Sequence, residues 1–343
     1  MEISSGGVGY LYTSIYGILH GVLSGTGLEA ASLLIALIIF AIALALIFTF
    51  YTIMGGWLER KLVARIHSRR GPTYLGKWGV LQNVADAIKL VTKENIIPDR
   101  ATRLFVFTLP VLTALFILML AFMPFSPTFI GFDSGIGLIL VFLILSFSPL
   151  LVFLAGWTSG NKFGSISAQR AVVMMLSYEA PLILVVVAIA LLAGTYSLQS
   201  IVQAQSSMWY IVLMPLGFVL FFFVLLAELE RPPFDLKEAD SELIAGWLTD
   251  VSAPYYAMAL LLDYTRLFVG SLLITVLFLG GWNGPILPSW VWTAIKVVIV
   301  TTAIIVVRGT LFRMRLDRIL RMGWIYLLPL SVANLLITFI IFR

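Results

Sequence analysis

The sequence contains no cysteine. That absence excludes a disulfide scaffold, an iron–sulfur cluster ligated by this chain and a cysteine-based zinc site. Histidine is almost absent too, occurring only at His20 and His67. Any redox cofactor must therefore be held by another chain, and neither a metal site nor a nucleic-acid partner is expected. Charge is scarce as well. Asp, Glu, Lys and Arg make up 11% of the 343 residues, against roughly 25% in a soluble domain. With 61% apolar residues the chain cannot cover a globule with polar surface, which excludes a soluble enzyme.

What is abundant is long apolar runs. A helical span needs ~20 mainly apolar residues, and eight stretches qualify: 30–57, 104–124, 136–156, 171–194, 209–227, 256–280, 289–311 and 324–342. The expected fold is an all-α polytopic membrane protein, one membrane domain over 1–343. Residues 1–29 carry no Lys or Arg. They lack the basic start of a cleavable signal, so the first run reads as a retained span.

Basic residues orient the spans. Ten fall in loop 58–103 and five in 308–323, whereas 1–29, 125–135, 195–208 and 281–288 have none. Segments 157–170 and 228–255 carry two each. The strict alternation places loops one, three, five and seven in the cytoplasm and both termini outside. The expected location is the cell membrane, with the functional loops cytoplasmic.

Loop one opens with Trp57-Leu58-Glu59-Arg60-Lys61, which alone reads as an interfacial Trp with snorkelling cations. Arg69-Arg70-Gly71-Pro72 marks a helix stop and a turn. Leu81, Val84, Ala85, Ile88 and Val91 then recur at helical spacing, with Gln82, Asp86, Lys89 and Lys93 opposite. This stretch is too short to span. It predicts an amphipathic helix lying in the interface plane or packed on the underside of the bundle.

Loop five holds seven acids: Glu228, Glu230, Asp235, Glu238, Asp240, Glu242 and Asp250. Against Arg231 and Lys237 it nets −5, while loop one, with ten basic residues against four acids, nets +6. The two loops are expected to attract each other. Asp235 looks like an N-cap with Glu238 as its capping-box partner. Glu242 falls one turn after Glu238, where like charges repel and share protons. A solvated acidic face is the plainer alternative to proton handling.

Inside the spans, Glu179 has no Lys or Arg nearby in sequence, so it must be protonated, partnered or in water. Ser177, Tyr178 and Pro181 offer hydroxyls and a local break in the helix. Asp263 and Arg266, at i and i+3, read as a mutually neutralising pair. Lys296 lies near an outer end, where it can snorkel.

These residues resemble a family. Glu59-Arg60-Lys61 with Arg69-Arg70-Gly71-Pro72 and Ala85-Asp86 form one block, and Gly156 through Pro181 a second. Glu228 through Gly246 and Arg308 through Pro329 form two more. In this order, on eight spans, they resemble the quinone-site membrane subunit of respiratory complex I, the H type. The resemblance implies that the chain helps couple electron transfer to proton translocation. Quinone would be the substrate, with iron–sulfur clusters and flavin only in partner subunits. Trp57, Arg60 and Ala64 would line the access to a quinone chamber, and Phe234 and Asp235 the chamber itself. Access is expected between span one, span six and the in-plane helix. Glu179 and Glu228 would begin the proton path, with Glu230, Glu238, Asp240 and Glu242 as an acidic funnel. The sequence departs from the family at His67, Asn83 and Lys237, where Gln, Pro and Pro are common. A sibling family stays open, in which the related chain anchors a membrane-bound hydrogenase or ferredoxin-linked complex without quinone. A free-standing secondary transporter would need paired broken spans in matching halves, and none is recognisable.

Overall fold

The computed structural model describes Gly17 and residues 29–127, 129–237 and 240–342. Among them there is no β-strand. Helix α1 (Glu29–Ile66) has 38 residues, roughly 57 Å at ~1.5 Å per residue. That exceeds the ~30 Å hydrocarbon core, so its last turns carry the charged Glu59-Arg60-Lys61 run on a rigid rod. The short α2 (Gln82–Thr92) follows. Next come α3 (Arg103–Ala121), α4 (Gly137–Thr158), α5 (Lys162–Ala193) and α6 (Leu198–Ala204). The chain continues through α7 (Tyr210–Leu213), α8 (Pro215–Glu228), α9 (Asp240–Leu243), α10 (Ala253–Phe278) and α11 (Ser289–Thr310). It ends in α12 (Leu316–Arg321), a π-helical turn (Met322–Leu327) and α13 (Leu328–Phe342).

Six stretches among the described residues are long and apolar enough to cross a membrane: α3, α4, α5, α10, α11 and Leu316–Ile341. The other two expected spans fall in α1 and in α7–α8. The latter is broken at Met214, where φ −135° and ψ 63° leave helical geometry ahead of Pro215. A helix break inside apolar surroundings must have its freed backbone groups satisfied. At the break itself Met214 N donates to Tyr210 O at 2.8 Å and Phe218 N to Met214 O at 3.0 Å, while buried Gln205 ties the start of α7 to the end of α10. Its Oε1 accepts from Gly280 N (3.0 Å) and Tyr210 N (3.4 Å), and its Nε2 donates to Val276 O at 2.8 Å. At 14 residues, α8 is only roughly 21 Å long.

α10 is the most enclosed of these helices, with 78% of its apolar stretch buried, against 22% for Leu316–Ile341. It packs on α1, α2, α3 and α11, while α5 packs on α4, α8 and α13. Pro181 does not break α5, which runs through it. The amphipathic helix is present, but its apolar stripe is not the packing face. Leu81, Ile88 and Val91 are 54%, 60% and 69% exposed, while Asn83 and Asp86 face α1. In a bilayer the outward surface of a bundle is apolar, so an apolar stripe points to lipid as readily as to a core.

Candidate functional site

α2 is pinned to α1 by polar contacts. Asn83 Nδ2 donates to Ile53 O at 2.8 Å, and Trp57 Nε1 donates to Trp78 O at 3.1 Å. Arg60 pairs with Asp86 at 2.5 Å, and Gln82 Nε2 donates to the other Asp86 oxygen at 3.1 Å. Gly56 permits the approach, since a Cβ there would sit 2.6 Å from Asn83 Nδ2. Partial burial pushes the Asp86 carboxyl upward, but the bonds from Arg60 and Gln82 outweigh it and hold it below the usual carboxylate range. Between α1, α2 and α10 lies a cleft of ≈ 130 Å³, walled by Ile53, Arg60, Asn83, Asp86, Leu261 and Tyr264. Trp57 and Ala64 stand a turn to either side of Arg60 on α1 and share its face.

Behind Tyr264 the charges are buried. Arg231 lies over its ring, 5.5 Å from the centroid, and pairs with Glu59 at 2.6 Å. Arg308, from the end of α11, pairs with the same Glu59 oxygen. The other oxygen, Oε2, is buried and makes no hydrogen bond among the described residues. Glu59 therefore joins the ends of α1, α8 and α11. The charge complementarity expected between loops one and five is reversed here, because the acid comes from α1 and the cation from loop five. Two of the described loop-five acids instead find cations on other elements. Asp235 pairs with Arg313 at 2.9 Å, and Glu242 with Arg170 at 2.6 Å.

Glu230 is the most tightly held acid. Its Oε2 meets both Lys237 and Arg266. Arg266 also donates to Ser148 and lies 5.6 Å from the Phe116 centroid, while Lys237 lies 5.3 Å from the Trp247 centroid. Arg266 is thus committed to Glu230 and Ser148, where a local pair with Asp263 was expected. The Asp263 carbonyl accepts from Arg231 at 3.4 Å. Burial would raise the Glu230 carboxyl, but Arg266 and Lys237 overcome it and hold it below the usual range. Its backbone, at φ 52°, is in the left-handed region, which costs a non-glycine residue roughly 1 kcal/mol.

Glu228 is buried with Oε1 unbonded among the described residues, and the same holds for the Tyr178 hydroxyl. Each lies within electrostatic reach of the other and of Glu230, Arg266 and Glu179. Glu179 is half-buried on α5. The sequence-predicted acids Glu179, Glu228 and Glu230 are thereby brought together. Glu242 is set apart at the surface with Arg170. Glu238 lies outside the described residues, and only the backbone of Asp240 is described.

Asp235 is not an N-cap. It sits in non-helical chain held by Met314 N, which donates to Pro233 O at 3.0 Å. Burial raises its carboxyl, with Arg313 and Lys237 opposing. Phe234 beside it is buried. Lys296 does not snorkel. Its Nζ donates to Leu279 O, Gly281 O and Asn283 O at 2.6, 2.9 and 2.8 Å, capping the chain that leaves α10. Among the described residues no cluster of three or more His, Asp or Glu could hold a metal ion.

Glu59 as a hub, Arg308 and Lys237 were not foreseen. Arg231 and Glu59 are 172 residues apart, and no local spacing reveals such a pair.

The family model described as NADH dehydrogenase matches residues 36–339. The H subunit of NADH-quinone oxidoreductase from Carboxydothermus hydrogenoformans is 39% identical over 293 residues, 82% of this chain and 82% of that protein. The corresponding H subunit from a Dehalococcoides mccartyi strain is 42% identical over 284 residues, 82% of this chain and 80% of its own. That of a Geobacillus species is 39% identical over 313 residues, 89% of this chain and 94% of its own. A match from residue 36 to residue 339 takes in most of α1, the cleft and every buried ion pair described above, and the chain belongs to the NADH dehydrogenase family.

Proposed function

We propose that this chain is the quinone-chamber subunit of a complex I-type oxidoreductase, coupling quinone reduction to proton translocation. The carrying observation is the cleft between α1, α2 and α10, with apolar α2 residues outside it and the Arg60–Asp86 pair in its wall. A lipid-soluble quinone would pass from the bilayer between Trp57, Arg60 and Ala64. Its headgroup would move toward Phe234 and Asp235, near soluble partner subunits that carry flavin and iron–sulfur clusters. The quinone takes two electrons from those partners and two protons to become quinol. The negative charge that electron arrival adds would raise nearby carboxyl pKa values and draw protons. Glu228 and Glu179 are suited to that exchange because no cation touches them in the described contacts. Glu230, held by two cations, would stay ionised.

In this reading α1 and α7–α8 complete eight spans of one membrane domain. Loops one, three, five and seven face the cytoplasm and both termini face outside. Other membrane subunits would receive the protons released at Glu179. A photoreactive quinone in the intact complex should label residues within 57–91 or 228–270. Labelling confined to 125–135, 195–208 and 281–288 would reject the chamber. Because the chain has no Cys, single cysteines report sidedness cleanly. Those at Ser68 and Ser241 should react from the cytoplasm, and those at Ser126 and Ser206 from outside.

A further inference from the structure

A second cavity, of ≈ 490 Å³, lies between α1, α10, α11 and the α3–α4 loop. One wall is a ladder of rings. Phe129 and Phe125 are 5.9 Å apart, Phe125 and Phe268 5.6 Å, and Phe268 and Tyr51 4.2 Å between centroids. The other wall is α11, with Ala294 and Val298. No charged residue is among the described lining residues. The hydroxyls of its lining are used internally. The Tyr51 hydroxyl bonds to Thr301 at 2.8 Å, and Thr293 donates to Phe125 O at 2.7 Å. The mouth opens on the lipid-facing surface, where Trp290 and Val298 are 64% and 53% exposed.

We infer that this cavity binds one acyl chain of a membrane phospholipid, with the headgroup outside, beside Trp290. The chemistry selects the occupant. A site whose lining carries no charge and whose lining hydroxyls are bonded within the chain offers a quinone ring no partner in its interior, so the ring would lose its water hydrogen bonds without replacement. A hydrocarbon chain loses nothing of that kind, and the cavity's size and apolar lining suit an apolar ligand. The cavity is continuous with the bilayer-facing surface of α11, so a chain reaches it without leaving the membrane. Trp290, at the first turn of α11, occupies the position where an indole lies between headgroups and hydrocarbon. The bound chain completes the packing between α1 and α11. The far end of α11 delivers Arg308 to Glu59, so the lipid props one end of a helix whose other end closes the buried charge cluster.

The test uses the intact complex in vesicles of phosphatidylglycerol doped with a phospholipid bearing a terminal diazirine on one acyl chain. Adducts should concentrate in peptides 125–129 and 290–298, about tenfold above those on the lipid-facing stretch 35–50. Ala294→Phe and Val298→Phe each fill the cavity and should remove that excess. Equal adduct yields at the cavity and at 35–50 would overturn the inference, as would an excess that survives both substitutions. So would occupation by the chain's own residues 1–28, which would leave the cavity unlabelled. If a photoreactive quinone labels these peptides and the lipid does not, the occupant is a quinone tail and the inference fails. Should either variant not assemble, the parental comparison still decides. Quinone reduction is not read, so the outcome is independent of the chamber proposal.

Discussion

Glu228 and Glu230 are separated by one residue and sit in opposite electrostatic surroundings. Glu230 is gripped by Lys237 and Arg266, and its charge is held in place. Glu228 is equally enclosed, yet one of its oxygens bonds to nothing among the described residues, where its electrostatic neighbours are Glu230, Glu179 and Arg266. Burial alone therefore does not identify an acid that moves protons. A buried carboxylate with two cations is a structural rivet, whereas one without them can change state at little cost.

The largest expected effect comes from breaking the rivet. Glu230→Gln strands Arg266 and Lys237 as buried cations, which costs about 3–5 kcal/mol. The intact complex should be largely lost on native gels. Adding Lys237→Met should recover part of the assembly by removing one stranded charge. A Glu230→Gln complex that assembles at parental level would erase the distinction between the two acids.

Glu228→Gln should behave in the opposite way. It keeps the shape and removes a costly ionisation, so the melting temperature should hold or rise. Quinone reduction and proton pumping should fall together, because Gln cannot take up and release a proton. Glu179→Gln should do the same with a smaller stability gain, since Glu179 is only half-buried. Either variant, assembled in vesicles and pumping at the parental rate, would remove that residue from the proposed path.

The smallest effect concerns the Arg60–Asp86 pair. Its carboxyl is held below the ordinary range, so the pair's contribution is complete above the unfolded-state pKa. It is lost only as pH falls through the lower folded value. Photoreactive-quinone labelling of the cleft should stay flat through mildly acidic pH and decline below it. Asp86→Asn should abolish that acid limb. A decline already present near neutral pH, and unchanged in the variant, would assign the limb to another group.

How legible was this from sequence? The apolar runs and the alternating charge of the loops follow from composition, and the helices fall where those runs are. The existence of α2 followed from its period of apolar residues. Its orientation did not, because in a bilayer lipid and core attract the same side chains. The pairs were the least legible. Asp263 and Arg266 satisfy a local spacing rule, but the guanidinium reaches Glu230, 36 residues away. The departures from family pattern at Asn83, Lys237 and His67 are visible as letters. Only three dimensions show which partner each one meets. Asn83 reaches Ile53 O, Lys237 reaches Glu230, and His67 Nε2 meets Gly309 O at 3.1 Å.

The π-helical turn at Met322–Leu327 bears on how this segment tolerates change. Gly323 within it lies against the Ser177 carbonyl, where a side chain would collide. A π-turn accommodates one residue more than an α-turn, so α13 is rotated by roughly 100° from the path of an uninterrupted helix. That rotation brings Asn334 and Thr338 to the Met214 sulfur, at 3.5 and 3.2 Å. Deleting a single residue from the turn would restore plain α geometry and leave both side chains at Met214, whereas deleting one between Leu328 and Asn334 would swing both toward lipid. Length, charge and apolar content would be nearly the same in both cases, so no hydropathy profile separates the tolerated deletion from the ruinous one.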